Sequence, residues 1–372
     1  MAAEFHAKQI RKIQKRLSGE KLSIESAVER FEELPDVRAH AHEYLDAILR
    51  EKYEHGGFEE LGWVLQFLRA LLRINPDYTL HGCWVLYQVD TQLITSYHRH
   101  HSLALPFFIY ELTGELMGTP FKGRADQFWI EWFVPSVQAI VLSRNIHIES
   151  IANHETLYSP ADDLKHDSQR RHAFTWNEPW TPAPNELEAQ WRLVPGNEGK
   201  TWFHITNARY PGEYLYTSDK RHDGCPFGGH FAFSWCEGRP GGEDDEYQAR
   251  WELHAFSRDV FALYNPKYRV YLYASNEMHD HQRRFVLTTR DHGNLEVDRK
   301  WIFRALVKWK LQSVRSNNLE SRSVFLNHLV VLKLLVASSL SSNNVNLQCK
   351  SIGKPVVDHL EDLKFTTPVD DL

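Results

Sequence analysis

The stretch HITNARYPGEYLYTSDKRHDG, from His204 to Gly224, decides the fold because the chain contains two further copies of it. A close copy, ALYNPKYRVYLYASNEMHDH, runs from Ala262 to His281, and a weaker one, SIANHETLYSPADDLKHDSQ, runs from Ser150 to Gln169. Each copy contains a Leu-Tyr pair, and the leucines follow one another at two intervals that differ by a single position. They are Leu157, Leu215 and Leu272. Such regular spacing indicates a threefold internal duplication.

Every copy has the same order of parts. An aliphatic or aromatic run leads to an asparagine and the Leu-Tyr pair, a polar loop with a His-Asp pair follows, and a second run precedes a tryptophan. The asparagines are Asn153, Asn207 and Asn265, the His-Asp pairs begin at His166, His222 and His279, and the tryptophans are Trp191, Trp251 and Trp301. An acidic or glutamine residue stands three positions before each tryptophan, at Glu188, Gln248 and Asp298. One such unit has too little core to fold alone, so we expect the three to share one closed, pseudo-threefold barrel.

These motifs make residues 137–306 resemble a β-trefoil, with repeats at about 137–193, 194–253 and 254–306. More narrowly, TWFHITNARYPGEYLY and DVFALYNPKYRVYLYAS resemble the low-molecular-weight (thirty-kilodalton) lipoproteins of insects, the microvitellogenin-like family. This resemblance implies a small helical domain before the trefoil and a storage protein that binds lipids or glucans. It also implies a reproductive role in oogenesis or eggshell formation, such as that of an insect eggshell-organising factor.

Positions 1–77 have the pattern of a small helical bundle. SIESAVERFEEL begins at a capping serine, Ser23, and ends before Pro35, and two further amphipathic runs follow it. We expect a mixed connecting region at 78–136, where the run CWVLYQVD is compatible with either a strand or a helix. We also expect a mostly disordered tail at 307–372, which is rich in Ser and Asn. The fold class is therefore an α+β multidomain protein, with a helical bundle followed by a β-trefoil and a disordered tail.

Composition argues against several classes of function. The net charge is −6 over 372 residues, whereas phosphate recognition needs a concentrated basic surface, so we expect no nucleic-acid binding. The N-terminus lacks the apolar segment of a signal peptide, and the most apolar run, 324–337, is shorter than the roughly 20 residues that span a bilayer. We therefore expect no transmembrane segment, and a protein that is cytoplasmic or exported without a classical signal peptide. The four cysteines leave open whether Cys225 and Cys236 pair.

No motif indicates catalysis. The chain has no Gly-rich phosphate loop, no nucleophile elbow and no HExxH sequence. The HRHH cluster at 98–101 has no acidic or cysteine residue nearby to complete a zinc site. We therefore predict no enzymatic activity, no cofactor and no metal.

The recurring parts of the repeats divide into structural and ligand-binding candidates. The three tryptophans are expected to be buried at equivalent places in the barrel, and the three asparagines to shape its hairpin turns. The candidate ligand site lies in the second repeat, where a long polar loop follows two tyrosines on one strand face. Its residues are Tyr214, Tyr216, Asp219, His222 and Asp223. Hydrogen-bonding groups beside an aromatic surface suit a glycan or a lipid headgroup.

A second class of function remains open. FEELPDVRAHAHEYLDAIL, which begins at Phe31, has the Leu-Pro opening and the later Ile-Leu of an F-box but lacks its tryptophan-containing end. On this alternative, the N-terminal helices dock a protein partner and the chain is an intracellular adaptor.

Overall fold

The computed structural model describes residue 8 and residues 22–56, 58–97, 100–101, 103–176, 186–197, 199–222, 229–236, 247–290 and 299–306. The tail expected at 307–372 lies outside these residues, as do Asp223, Cys225 and Asp298.

Helices fill the described part of the chain before residue 142, apart from one short strand. They are α1 Ile24–Glu32, α2 Val37–Gly56, α3 Phe58–Leu72, α4 Pro76–Tyr97, α5 Ala104–Glu115, α6 Lys122–Trp132 and α7 Pro135–Val141. Ser23 caps α1, because its Oγ accepts a hydrogen bond of 3.2 Å from the backbone N–H of Ser26. Such a cap satisfies one of the N–H groups that a helix leaves free at its start. No helix among the described residues is long and apolar enough to cross a membrane.

One apolar core joins helices α1 to α6, running from Ala27 to Trp132. The segment CWVLYQVD, whose sequence is compatible with both a strand and a helix, lies inside α4. Within it Cys83, Leu86 and Val89 are buried at every third position. That spacing places them on one helix face, and helices α4, α5 and α6 belong to the same core as the first helices. The expected boundary at residue 77 therefore falls in the first turn of α4.

The rest of the described chain forms strands. They are β1 His100–His101, β2 Ile146–Ser150, β3 Thr156–Tyr158, β4 Arg170–His172, β5 Phe174–Trp176, β6 Trp191–Pro195, β7 Phe203–Asn207, β8 Tyr214–Arg221, β9 His230–Trp235, β10 Glu252–Ala255, β11 Val260–Asn265, β12 Val270–Met278, β13 Arg283–Thr289 and β14 Trp301–Ala305. Alternating burial along β2 and β6 indicates strands with one face toward a core and the other outward.

Six of these strands close into a barrel. The antiparallel pairs run from β14 to β2, β2 to β6, β6 to β7, β10 to β11 and β11 back to β14. The remaining gap, between β7 and β10, is closed by Phe203 and Trp251, whose backbones exchange hydrogen bonds of 2.8 and 3.0 Å. Closure leaves the barrel without an unpaired edge.

Three hairpins cover one end of the barrel and complete a β-trefoil. They are β3 with β5, β8 with β9, and β12 with β13. The hairpins meet where Ala173 donates its N–H to the Ala232 carbonyl at 3.1 Å and accepts from the Val286 N–H at 3.2 Å. We call residues 146–195 lobe 1, residues 203–255 lobe 2 and residues 260–305 lobe 3. The predicted combination of a helical region and a β-trefoil is confirmed.

The three repeat tryptophans occupy equivalent places in this barrel. Trp191, Trp251 and Trp301 are fully buried. Each indole N–H donates to the carbonyl of the repeat leucine in its own lobe, at distances of 2.8, 2.8 and 3.0 Å. The leucine and the tryptophan that recur in the sequence are therefore the acceptor and the donor of one hydrogen bond, which is repeated in each lobe.

The asparagine positions differ from the expected set in lobe 1. Asn207 and Asn265 end equivalent strands, and each donates its Nδ2–H at 2.7 Å to a carbonyl, that of Glu188 or of Gln248. In lobe 1 the strand position opposite Trp301 is held by Ser150, so Asn153 lies three positions further on, within the turn. The turns that join β2 to β3, β7 to β8 and β11 to β12 each contain a residue with a left-handed backbone conformation, and none of the three is an asparagine. This residue lies three positions before the repeat leucine, at His154, Gly212 and Arg269.

Helices cover the end of the barrel opposite the hairpins. Val137, Ala139 and Ile140 of α7 belong to the apolar core of the barrel, together with Leu103 just before α5. Helix α7 contacts β2, β6 and β14. The helical region and the barrel are thus joined by buried apolar contacts.

Candidate functional site

The two tyrosines proposed as an aromatic surface are largely buried in lobe 2. Tyr216 is only 2% exposed and packs in a small cluster with Phe233 and Ala249. Tyr214 is half-buried, and its ring lies edge-on to His204 at a centroid distance of 5.0 Å. Burial raises the pKa of the Tyr216 phenol, so it remains a neutral group. The Tyr216 ring therefore presents no open face of the kind that stacks on a sugar.

The polar members of the same candidate set have different partners. Asp219 is exposed on β8 and accepts a hydrogen bond of 3.3 Å from the Ser218 hydroxyl, and its charge acts on the Tyr216 phenol. The ring of His222 contacts Phe231 and Phe285, and its Nε2 lies 3.4 Å from Glu277. Asp223 lies outside the described residues. A ligand site built from these residues stays a prediction.

The His-Asp pairs have a structural role in lobes 1 and 3. The carboxylate of Asp167 accepts two backbone N–H groups at 3.0 and 2.8 Å, and Asp280 accepts two at 2.9 Å each. Each also accepts from an arginine, Arg170 or Arg283, at 2.7 Å. These aspartates hold the hairpin turns by local side chain–backbone bonds.

Histidines gather where the three hairpins meet. His166, His222 and His279 occupy equivalent turn positions, because the backbone N–H of each donates across its hairpin, at 2.8, 2.9 and 2.7 Å. His172 lies among them, 5.0 Å from His166 between ring centroids, at the position that phenylalanines take in lobes 2 and 3. Burial, with a smaller contribution from the neighbouring histidines, lowers the pKa of His172 to about 3. This group is therefore neutral near pH 7.

A cavity of about 230 Å³ opens in lobe 1, and we call it the lobe 1 pocket. Its lining combines aromatic, acidic and apolar side chains with one arginine from lobe 3. The lining residues are Tyr158, Pro160, Ala161, Asp163, Leu164, Trp176, Glu186, Glu188 and Arg283. Strands β3 and β5 position the two rings, because Thr156 pairs with Trp176 and Tyr158 pairs with Phe174 in adjacent antiparallel strands.

Two aromatic rings form a corner of this pocket. Tyr158 and Trp176 lie 5.3 Å apart between centroids, with their planes at 83°. The hydroxyl of Tyr158 and the indole N–H of Trp176 are both buried, and neither makes a hydrogen bond of ordinary geometry within the described residues. Burial raises the pKa of the Tyr158 phenol, which keeps its proton available for donation. An unpartnered buried donor costs about 1–3 kcal/mol, and a ligand or a water that reached these two atoms would remove that cost.

Acidic groups dominate the charge of the pocket. Asp163 and Glu186 are exposed and have no ion pair within the described part of the chain. Glu188 lies 3.5 Å from Arg209, a side chain that is itself 57% exposed. Arg283 lies 5.5 Å from the Trp176 ring centroid and is bound by Asp280 at 2.7 Å. The lining therefore carries three carboxylates against one guanidinium that already has its own partner.

Lobes 2 and 3 retain this arrangement to different degrees. In lobe 2, Trp235 stands at the position of Trp176, and Arg170 pairs with it as Arg283 pairs with Trp176. In lobe 3, Thr289 replaces the tryptophan, since it pairs with Tyr271 as Trp235 pairs with Tyr214. The hairpin fold does not need a tryptophan there, which favours a ligand-related role for the tryptophan in lobe 1.

A larger groove, of about 500 Å³, lies in the helical region between α2 and the start of α4. Two of its polar side chains, His42 and Asp77, are already bonded to each other. His42 Nε2 lies 2.9 Å from Asp77, which is also bound by Arg124 and is therefore doubly paired. Greater volume alone does not make this groove a better candidate than the lobe 1 pocket.

Sequence reasoning missed Tyr158 and Trp176. Both lie in quoted parts of the weakest repeat, the Leu-Tyr pair and the AFTW run, but neither was distinguished from its counterparts. A signal was present: Trp176 and Trp235 recur at the same place while lobe 3 has Thr289. Arg283 could not be linked to them by spacing, because it belongs to a different repeat, far along the chain.

No protein-family model matches the chain, and no curated protein matches it. Among solved structures it is similar to a salivary protein of Culex quinquefasciatus from the Cysteine and Tryptophan-Rich family, with 17% identity and a TM-score of 0.33 over 43% of this chain and 92% of that one. A designed threefold symmetric protein, ThreeFoil, has 14% identity and a TM-score of 0.33 over 43% and 98% of the two chains. The Rhizoctonia solani agglutinin has 11% identity and a TM-score of 0.31 over 43% and 93%. Likeness at this level says nothing about ligand or activity, and the resemblance to the low-molecular-weight lipoproteins of insects stays a prediction.

Proposed function

We propose that this protein is a non-enzymatic binding protein whose trefoil holds a glycan residue or a lipid headgroup in the lobe 1 pocket. The observation that carries the proposal is the corner of Tyr158 and Trp176, where two buried donors have no hydrogen-bond acceptor of ordinary geometry among the described residues. An aromatic face packs on the apolar side of a sugar ring or on a headgroup, while the donors bond to its oxygen atoms.

The size of the cavity limits the ligand. At about 230 Å³ it is smaller than the roughly 300–1,000 Å³ of sites that enclose drug-sized molecules. It therefore suits one sugar ring or one headgroup, with the rest of the glycan or lipid outside. This size favours recognition of an end or a side group rather than of a long chain.

The lining of the pocket contains the carboxylates of Asp163, Glu186 and Glu188 and the phenol of Tyr158. Because pairs of carboxylates hydrolyse glycosidic bonds in many enzymes, the absence of enzymatic activity is tested directly on a glycan probe. The proposed binding role predicts that a glycan probe incubated with the full chain is recovered unhydrolysed, and cleavage of the probe would contradict that role.

The first experiment measures binding of the full chain to a glycan array and to lipid vesicles. Trp176→Ala should remove binding, and Tyr158→Phe should weaken it by deleting one donor. The double variant Asp219→Ala with His222→Ala is the matched control in lobe 2, and it should bind as the unchanged protein does. Loss of binding in the lobe 2 variant, with Trp176→Ala unaffected, would move the site to the second repeat.

The biological setting follows from the resemblance to the insect lipoproteins. We propose a role in oogenesis or eggshell formation, because proteins of that family store and carry ligands for the egg. Antibody staining of developing ovaries tests this directly. Absence of the protein from ovary and eggshell would contradict the reproductive role without affecting the proposed pocket.

The adaptor alternative stays a prediction. The F-box-like stretch begins at Phe31, which is 1% exposed, and its later residues Leu45 and Leu49 are fully buried in the helical core. These side chains are used for packing, so an adaptor would need other surface residues for docking. A pull-down with the full chain as bait separates the two functions, since recovery of a ubiquitin-ligase scaffold would favour the adaptor.

A further inference from the structure

We infer that the ligand of the lobe 1 pocket carries a positively charged ammonium group. This inference rests on the proposed function, and it narrows the ligand from any glycan or headgroup to one with a cation. Two independent features of the pocket lead to it, the arrangement of its rings and the sign of its charges.

Two aromatic rings line the pocket. Tyr158 and Trp176 meet edge to face, with their planes at 83° and their centroids 5.3 Å apart. A cation within about 6 Å of an aromatic face is attracted by the negative charge of that face, and tryptophan is the strongest such partner. The Trp176 ring already accepts one cation in this way, because the guanidinium of Arg283 lies 5.5 Å from its centroid.

The charges around this corner are predominantly negative. Asp163 and Glu186 have no ion pair among the described residues, and Glu188 faces only the exposed Arg209 at 3.5 Å. Arg283 does not neutralise them, because Asp280 binds it at 2.7 Å. Carboxylates at an aromatic corner favour an ammonium ion over a neutral group of the same shape.

Lobe 2 supplies an internal comparison. It retains a tryptophan, Trp235, and an arginine, Arg170, at the equivalent positions. Yet Gln248 stands where lobe 1 has Glu188, since their carbonyls accept equivalent hydrogen bonds from Asn265 and Asn207. The hairpin fold therefore does not require the Glu188 carboxylate of lobe 1.

An ammonium group could reach the pocket from two sources. One is an amino sugar, whose free amine is protonated near neutral pH, and the other is the choline headgroup of a lipid. Both offer the same chemistry to the two rings and to Asp163 and Glu186. A neutral N-acetylated sugar has a similar ring without the charge and is the appropriate comparison.

The test compares four probes on the full chain at physiological salt. They are a glucosamine tetramer, an N-acetylglucosamine tetramer, phosphatidylcholine vesicles and phosphatidylglycerol vesicles. Titration calorimetry should show at least one ammonium probe binding roughly tenfold more tightly than its comparison probe. Preference for the glucosamine tetramer identifies the amino sugar as the source, and preference for phosphatidylcholine identifies the lipid.

Variants separate the charge from the rings. Asp163→Asn combined with Glu186→Gln should reduce the preference to about twofold or less, while Asp259→Asn, in the turn before lobe 3, should leave it unchanged. Trp176→Ala should remove binding of every probe. Thermal melting of each variant confirms that it is folded, which is expected because Asp163 and Glu186 are exposed.

The outcomes distinguish this inference from the proposed function. Equal or tighter binding of the N-acetylglucosamine tetramer, still abolished by Trp176→Ala, would overturn the ammonium inference and leave the pocket in place. Binding that survives Trp176→Ala, or no binding of any probe, would overturn both.

Discussion

Arg171 and Glu213 form a two-pronged ion pair, with both nitrogen–oxygen distances at 3.0 Å, that joins lobe 1 to lobe 2 in the protein interior. Arg284 and Glu155 form the equivalent pair between lobes 3 and 1, at 2.9–3.2 Å. The glutamates are equivalent because each lies two positions before the leucine of its repeat. Between lobes 2 and 3, His230 stacks on Tyr268.

The first prediction concerns this ion pair. Glu213→Ala should lower the free energy of unfolding by about 3–5 kcal/mol, because it leaves the buried guanidinium of Arg171 without its main partner. Chemical denaturation at pH 7 measures the change. The matched control is Asp126→Ala, which removes the partly exposed pair with Lys122 and should cost less than about 1 kcal/mol. Similar losses for the two variants would contradict an interior role for the lobe 1–lobe 2 pair.

The second prediction concerns the repeat tryptophans. Trp251→Ala should cost about 3–5 kcal/mol, because it opens a cavity in the barrel and removes the donor to the Leu215 carbonyl. Thermal melting should show a large decrease in Tm. Trp176→Ala is the internal comparison and should cost much less, because that ring is only half-buried. A Trp251→Ala variant as stable as the unchanged protein would contradict a barrel held by three equivalent indoles.

The regular intervals in the sequence were sufficient to predict the trefoil, but they could not locate its site. Spacing identifies residues such as Trp251 that every lobe needs, because the same contact recurs in each copy. The pocket depends instead on a difference between copies and on Arg283, which reaches lobe 1 from lobe 3. Residue type alone predicts that Asn153 is equivalent to Asn207. The structure places Ser150 there, because strand pairing with Trp301, rather than the turn sequence, fixes that position.

The third prediction concerns acid stability. In the folded protein the pKa of buried His172 is lowered to about 3, so this histidine binds no proton as pH falls from 7 to 5. In the unfolded chain the same histidine has its ordinary pKa of 6.5 and binds a proton in this range. The free energy of unfolding should therefore fall by about 2 kcal/mol over this range from His172 alone. His172→Phe removes this loss and should fit, because Phe231 and Phe285 occupy the equivalent positions.

Denaturant titrations at pH 7 and pH 5 measure the effect of His172→Phe. This range lies above the ordinary pKa of carboxylates, so histidines determine the difference. The neighbouring groups His166, His222, His279 and Asp167 are retained in both proteins, and His166, whose pKa burial also lowers, continues to contribute. An unchanged pH dependence in the variant would show that His172 is not held neutral in the folded protein.

The fourth prediction concerns the segment after the barrel. Strand β14 ends at Ala305 and closes the barrel by pairing with both β2 and β11. Deletion of 310–372 should therefore leave one cooperative thermal transition with a Tm close to that of the full chain. Loss of cooperative melting would show that this segment contributes to the core.

The central claim is that a ligand binds between Tyr158 and Trp176, and a crystal structure of the full chain soaked with the tightest probe tests it most directly. The predicted result is ligand density in the lobe 1 pocket, with the Tyr158 hydroxyl and the Trp176 indole N–H each within about 3.2 Å of a ligand acceptor or an ordered water. Density instead beside Asp219 in lobe 2, or between the helices and the barrel, with the lobe 1 pocket empty, would contradict the claim.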